Sequence, residues 1–193
     1  MTLLDTAPIK IGSGRANEIV LKHLGEVAID ASRLEHLAAE VAHGVKLTVA
    51  PEQAVDKLQH AKLTPPPWGT ASAKDVKAWA TSVARLLDLR TRMFSASGGA
   101  RFSGSRGDTI TTEASDGTLF PADEEYLNRL LHRLERQIAA GTELLSRLDY
   151  HDENGQRWPL VQLYEARADE QDEDGQPSAI ANLPTEWRRW LTA

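Results

Sequence analysis

Apolar residues recur along most of this chain at the three- and four-residue steps of a helix. Between Ala16 and His43 they stand at Val20, Leu24, Val27, Leu34, Leu37 and Val41, which predicts one long helix with a single buried stripe. Gly25 weakens that stripe, and Ser32 with Glu35 would make a capping box if a second helix began there, so two helices are the alternative. Pro51 to Ala61 puts proline at a helix start ahead of Ala54, Val55 and Leu58, and predicts a short helix. Pro65, Pro66 and Pro67 then stop any helix, and with Trp68 and Gly69 they predict a rigid connector whose tryptophan packs back on the body.

The next stripe is the clearest. From Ala73 or Lys74 to Phe94, Val76, Ala80, Val83, Leu87 and Arg90 share one face, with Trp79 and Leu86 beside it. Ser95 to Gly107 is too rich in glycine and serine to stay helical and reads as a loop. Asp108–Ala114, the turn at Asp116–Gly117 and Thr118–Phe120 predict a small β-hairpin, because Asp-Gly supplies the positive φ that a tight turn needs. Ala122 to Leu148 predicts a strong helix, its acidic start favoured by the helix dipole and its stripe formed by Leu127, Leu130, Leu134, Ile138, Leu145 and Leu148. Trp158 to Ala166 fits a strand or a helix equally. Pro184 opens a short C-terminal helix that carries Trp187, Trp190 and Leu191 on one face. The fold expected is therefore mainly α: a bundle of about four main helices, a β-hairpin between the third and fourth, and a short C-terminal helix. Residues 1–15 form an N-terminal segment, 16–148 the bundle, and 149–193 an acidic loop with a tryptophan-bearing docking segment.

Composition narrows the chemistry. At 193 residues the chain suits one compact domain, since a chain of this size buries roughly 70% of its unfolded surface. It has no cysteine, which excludes disulfides, thiol nucleophiles and cysteine-ligated metals and fits a reducing cytosol. There is no apolar run of membrane-spanning length, and Met1–Lys10 lacks a signal peptide's basic start and apolar core, so a cytoplasmic protein without a membrane is expected. The net charge of -6 is uneven: residues 1–100 carry 12 basic and 10 acidic side chains, and the acid excess gathers at Asp149, Asp152, Glu153 and Glu165–Asp174. Such a run reads as a solvated loop, and an acidic surface disfavours duplex DNA.

The usual catalytic signatures are missing. His23, His36, His43, His60, His132 and His151 include no pair at the four-residue spacing of a helical zinc site, so no metal is expected. Ile11–Arg15 (IGSGR) lacks the third glycine of a dinucleotide fold, and no phosphate-binding loop or hydrolase elbow occurs, so no cofactor is expected. Arg90 is more pointed. It stands seven residues after Val83 on the inward stripe, where a guanidinium must be paired or face a cleft. Glu35 is the candidate ion-pair partner. Otherwise Arg90, Arg92, Ser95, Ser97 and Arg101 converge on the glycine-rich loop as an anion or phosphate site.

The segment W-A-x-x-V-A-R-L-L-x-L-R-x-R (Trp79 to Arg92), preceded by L-G-E-V-A (Leu24 to Ala28) and R-L-E-H-L (Arg33 to Leu37) and followed by a hairpin and a long helix, resembles bacterial members of the HEPN superfamily over residues 16–148. In that superfamily an arginine, a polar residue, three to five further residues and a histidine form a metal-independent RNase site across a dimer. The resemblance puts the arginine at Arg90 and the polar residue at Thr91. The histidine would fall near Ser95, and none stands between Arg90 and Asn128, which removes the group suited to proton transfer near neutral pH. The resemblance thus implies a HEPN-like bundle without nuclease activity, and an association with toxin–antitoxin or phage-defence systems. The function expected is non-catalytic binding of a protein partner, RNA or a nucleotide near Arg90. The alternatives are an active HEPN-type ribonuclease, which would use Arg90 with Ser95 or a remote His132, and a purely structural homodimer joined through Trp187, Trp190 and Leu191.

Overall fold

The computed structural model describes residues 15–94, 101–102, 110–113, 119–122, 124–151, 157–158 and 183–192. The chain is mainly helical, a helical bundle with four main helices: α1 (Arg15–Gly44), α2 (Pro51–His60), α3 (Ala73–Phe94) and α4 (Glu124–Ser146), followed by a short α5 (Thr185–Thr192). The 30-residue α1 runs through Gly25 without a break, so Ser32 and Glu35 lie mid-helix rather than at a cap. None of the described helices is long and apolar enough to cross a membrane.

The buried positions obey a tighter rule than the stripes predicted. In α1 one row runs Val20, Val27, Leu34, Val41 and a second runs Ala31, Ala38 and, just past the helix, Val45, each stepping by seven. In α3 the rows are Val76, Val83 and then Trp79, Leu86, Met93. In α4 Leu127, Leu134, Gly141 and, just past the helix, Leu148 form one row, with Leu130 and Leu144 in the other. A seven-residue repeat is the seam of helices that pack with small crossing angles. It corrects the predicted stripes: Leu24, Leu37, Leu87, Ile138 and Leu145 are half-buried at the seam edges, while Ala31, Ala38, Leu86 and Leu144 take the interior.

Between α3 and α4 lies a three-stranded antiparallel sheet of order β1-β2-β3, built from β1 (Arg101–Phe102), β2 (Ile110–Glu113) and β3 (Leu119–Ala122). The expected hairpin is β2 with β3, in register from Ile110 opposite Ala122 to Glu113 opposite Leu119. Pro121 sits in β3 at the sheet edge, where its missing N–H costs least. β1 is a correction, since Arg101 and Phe102 were expected in a loop and instead pair with Thr111 and Ile110. A second ladder joins β4 (Tyr150–His151) to β5 (Arg157–Trp158), which settles Trp158 as a strand residue; residues 159–166 lie outside the described ones. So does the acidic run Glu165–Asp174. Asp149, expected with that solvated acid excess, is instead only 3% exposed.

The chain divides into two compact units that cut through α1, α3 and α4: residues 1–33 with 85–136, and residues 34–84 with 137–193. Each is discontinuous in sequence, so neither matches a simple N-terminal or C-terminal segment.

Candidate functional site

The first unit holds the end of α3 and the loop after it. Arg90 continues the row of Val76 and Val83 yet is half-buried, and the neighbouring row resumes one turn later at buried Met93. The periodicity therefore carries a guanidinium to the rim of the seam. Arg92 is exposed and donates from Nε to Asp88 Oδ2 at 3.0 Å, an i,i+4 pair of the kind that adds little stability. Arg101 is placed by β1 opposite Thr111. Ser95 and Ser97 lie outside the described residues. The five predicted anion ligands are thus not brought together as a set by the described residues. Glu35 is half-buried in α1 and belongs to the second unit, whereas Arg90 belongs to the first. His132 is exposed on α4, its Nδ1 3.2 Å from Glu135 Oε2. Among the described residues no cluster of three His, Asp or Glu side chains could hold a metal ion.

The second unit contains an aromatic cluster centred on Trp68. Its indole N–H donates to the Leu148 carbonyl at 3.1 Å, which seats the proline connector on the end of α4. Around that ring lie Trp187 at 5.5 Å, Trp190 at 5.2 Å and Tyr150 at 6.2 Å between centroids, with Tyr150 also 5.4 Å from Trp187. Edge-to-face and tilted contacts at these distances add about 0.5–1.5 kcal/mol each beyond burial. Leu191 within α5 and Leu183 just before it are both buried. The three C-terminal candidates therefore pack within their own chain, around a partner that helical periodicity cannot reveal.

Lys46 completes this arrangement. Its ammonium lies 4.6 Å from the Trp190 centroid, a cation–π contact. The backbone there is left-handed, with φ 66°. Leu47 N–H donates to the Ala42 carbonyl at 2.8 Å and Lys46 N–H to the His43 carbonyl at 3.1 Å, the pair of hydrogen bonds that closes a helix and usually takes glycine at the left-handed position. A lysine accepts the strained conformation where glycine would not deliver a cation to Trp190.

A polar clamp holds the same connector. Ser72 caps α3: its Oγ accepts from Asp75 N–H at 3.2 Å, while Asp75 Oδ2 accepts from Ser72 N–H at 2.9 Å and from Ser72 Oγ at 2.8 Å. Arg147 donates to Asp75 Oδ2 at 3.2 Å and to the Thr70 carbonyl at 3.1 Å. The backbone N–H of Ser72 and then its hydroxyl hold the Asp75 carboxyl below its ordinary pKa of 3.8; desolvation opposes them, and the charge and hydrogen bond of Arg147 add smaller lowering effects. The signal for this clamp was the S-x-x-D spacing ahead of an apolar stripe. Arg147 carried no signal, because its partners lie more than seventy residues away.

No family model, no curated protein and no solved structure matches this chain.

Proposed function

We propose that this chain is a non-catalytic, HEPN-like binding protein that takes a phosphate-bearing ligand, RNA or a nucleotide, at the C-terminal end of α3 with Arg90 as its anchor. The observation that carries the reading is Arg90 on the repeat of Val76 and Val83 at half-burial. A guanidinium suits such a rim. It is weakly hydrated, stays charged, and presents a planar fork of donors to a phosphate. The glycine- and serine-rich sequence directly after α3, with Ser95 and Ser97, offers further hydroxyl and backbone donors. The lack of a histidine between Arg90 and Asn128 favours binding over cleavage, since no side chain there exchanges a proton readily near neutral pH.

A competing role is electrostatic. Arginines in the last turn of a helix also offset the negative end of its dipole. The two roles separate in a titration of labelled single-stranded RNA and of a fluorescent adenine nucleotide, followed by anisotropy. Arg90→Ala is expected to weaken binding by about tenfold or more, the size of a lost charged hydrogen bond, with an unchanged circular dichroism spectrum. Arg90→Lys should recover little, because an ammonium cannot reproduce the fork. If the wild-type chain binds neither probe, or Arg90→Ala acts only by lowering the melting temperature, Arg90 is structural. Cleavage of the RNA would replace the reading by a ribonuclease.

A further inference from the structure

The short helix α5 meets the rest of the second unit through one narrow face. Leu191 is buried and Trp187 and Trp190 are half-buried, while Thr185, Glu186, Arg188 and Arg189 are exposed. At eight residues it is well short of the roughly 12–15 that a helix needs to stand alone in water, so it persists only while docked. The groups that receive it are fixed without its help. Trp68 is seated by its hydrogen bond to Leu148, Tyr150 by the β4–β5 ladder, and Lys46 by the two hydrogen bonds that close α1. Lys46 is fixed at a cost, because φ 66° is strained for any residue with a Cβ and glycine would relieve it. What the lysine supplies instead is an ammonium 4.6 Å from the Trp190 ring.

We propose that α5 is a latch, lifting and melting as a unit while the bundle stays folded, and that the positive charge of Lys46 sets how often it opens. Lifting withdraws Trp187 and Trp190 from the cluster and uncovers the Trp68 and Tyr150 rings they touch, so the cluster has a closed state and a minor open one. A segment with few buried apolar contacts opens well below the free energy of global unfolding. α3, fully buried at Val76, Ala80 and Val83, opens only with the whole. Neutralising Lys46 removes its attraction to Trp190 and shifts the latch towards open. The proposal goes beyond the phosphate reading and is independent of it, because it uses neither Arg90 nor any ligand.

Hydrogen–deuterium exchange of the full chain, resolved peptide by peptide, tests it. Protection of α5 amides should fall about tenfold or more below that of α3 amides. Val83→Ala should speed exchange in α3 and leave α5 unchanged, since Val83 supports the bundle equally whether the latch is closed or open. Lys46→Gln should speed α5 exchange about two- to fivefold, the size of a partly exposed cation–π contact, and Lys46→Arg should keep most of the wild-type protection. Lys46→Gly should speed α5 as much as the glutamine does, yet leave α3 better protected than in Lys46→Gln, because glycine adopts φ 66° without strain. Exchange of α5 in step with α3, or Val83→Ala speeding both alike, overturns the latch. Lys46→Gln exchanging like wild type, or Lys46→Arg exchanging like Lys46→Gln, overturns the control by charge.

Discussion

The two units divide arginine and tryptophan between them. Residues 1–33 with 85–136 contain ten of the fifteen arginines and no tryptophan; residues 34–84 with 137–193 contain all five tryptophans. The first unit is electrically neutral, and the whole net charge of -6 belongs to the second. Exposure follows the same line. The large apolar side chains exposed among the described residues, Ile19, Leu21, Ile29 and Phe94, all stand in the first unit. Tryptophans turned on one another around Trp68 fasten a chain to itself, whereas the proposed binding site lies in the unit that holds most of the arginines. The described tryptophans of the second unit serve its own cohesion, while the first unit, beside its buried rows, also carries the exposed large apolar side chains of the described residues.

The largest expected effect breaks the second unit. Trp68→Ala removes the ring that Trp187, Trp190 and Tyr150 share and the hydrogen bond to Leu148, and should cost about 3 kcal/mol, the low end for deleting a packed tryptophan. Urea unfolding followed by far-ultraviolet circular dichroism measures it. A loss under about 1 kcal/mol, within the range of an ordinary surface change, would show that α5 is held by something other than this cluster. Binding of RNA or nucleotide by the folded variant should not change, because Arg90 belongs to the other unit.

The two glycines inside long helices, one in each unit, sharpen the contrast by opposite signs. A Cβ at Gly141 would lie 2.5 Å from the Trp79 ring and 2.6 Å from Leu37, and the same indole donates to the Gln137 carbonyl at 3.0 Å. Gly141 is the hole into which Trp79 fits, so Gly141→Ala should destabilise by about 1–3 kcal/mol despite alanine's better helix propensity. Gly25 has open space, and Gly25→Ala should stabilise the chain by about 0.5–1 kcal/mol. Both are read as shifts of the urea midpoint. Two shifts of the same sign would remove the distinction between a packed interior glycine and a surface one.

How much of this was visible in the sequence depends on the reach of each interaction. The helices were legible because their rows repeat locally, and the β2–β3 pairing because Asp116–Gly117 marks a turn between two β-prone runs. Ala31 and Ala38 stand seven apart like their larger neighbours, but one methyl group gives too little hydropathy signal to mark them as interior residues. The gap in the α4 stripe between Ile138 and Leu145 concealed Gly141, whose role exists only once Trp79 is opposite it. The Trp68 cluster joins residues eighty to more than a hundred positions apart, and no periodicity spans such distances. For the candidate site, the spacing of Arg90 from Val83 placed it on the seam. Its half-burial follows from where the seam meets solvent, which spacing alone does not encode.

The smallest effect tests whether the clamp at the start of α3 contributes to the cohesion of the second unit. Asp75 has its pKa lowered in the folded chain, so the folded state favours the carboxylate more than the unfolded state does. Its contribution is fully present well above 3.8, declines as the pH falls past that value, and is gone once the pH is below the folded pKa. Asp75→Asn cannot be charged, accepts more weakly from the Ser72 N–H and hydroxyl, and loses the ion pair to Arg147. The urea midpoints of wild type and variant should therefore differ at pH 7, the wild type being the more stable, and the gap should narrow as the pH falls below 3.8. Much of the lowering comes from Ser72 hydrogen bonds rather than from the charge of Arg147, so about 1 M sodium chloride, which screens exposed charges beyond roughly 3 Å, should narrow the pH 7 gap without closing it. A gap that disappears in salt would assign the clamp to Arg147; a gap that persists at low pH would mean that the asparagine is tolerated poorly for its shape.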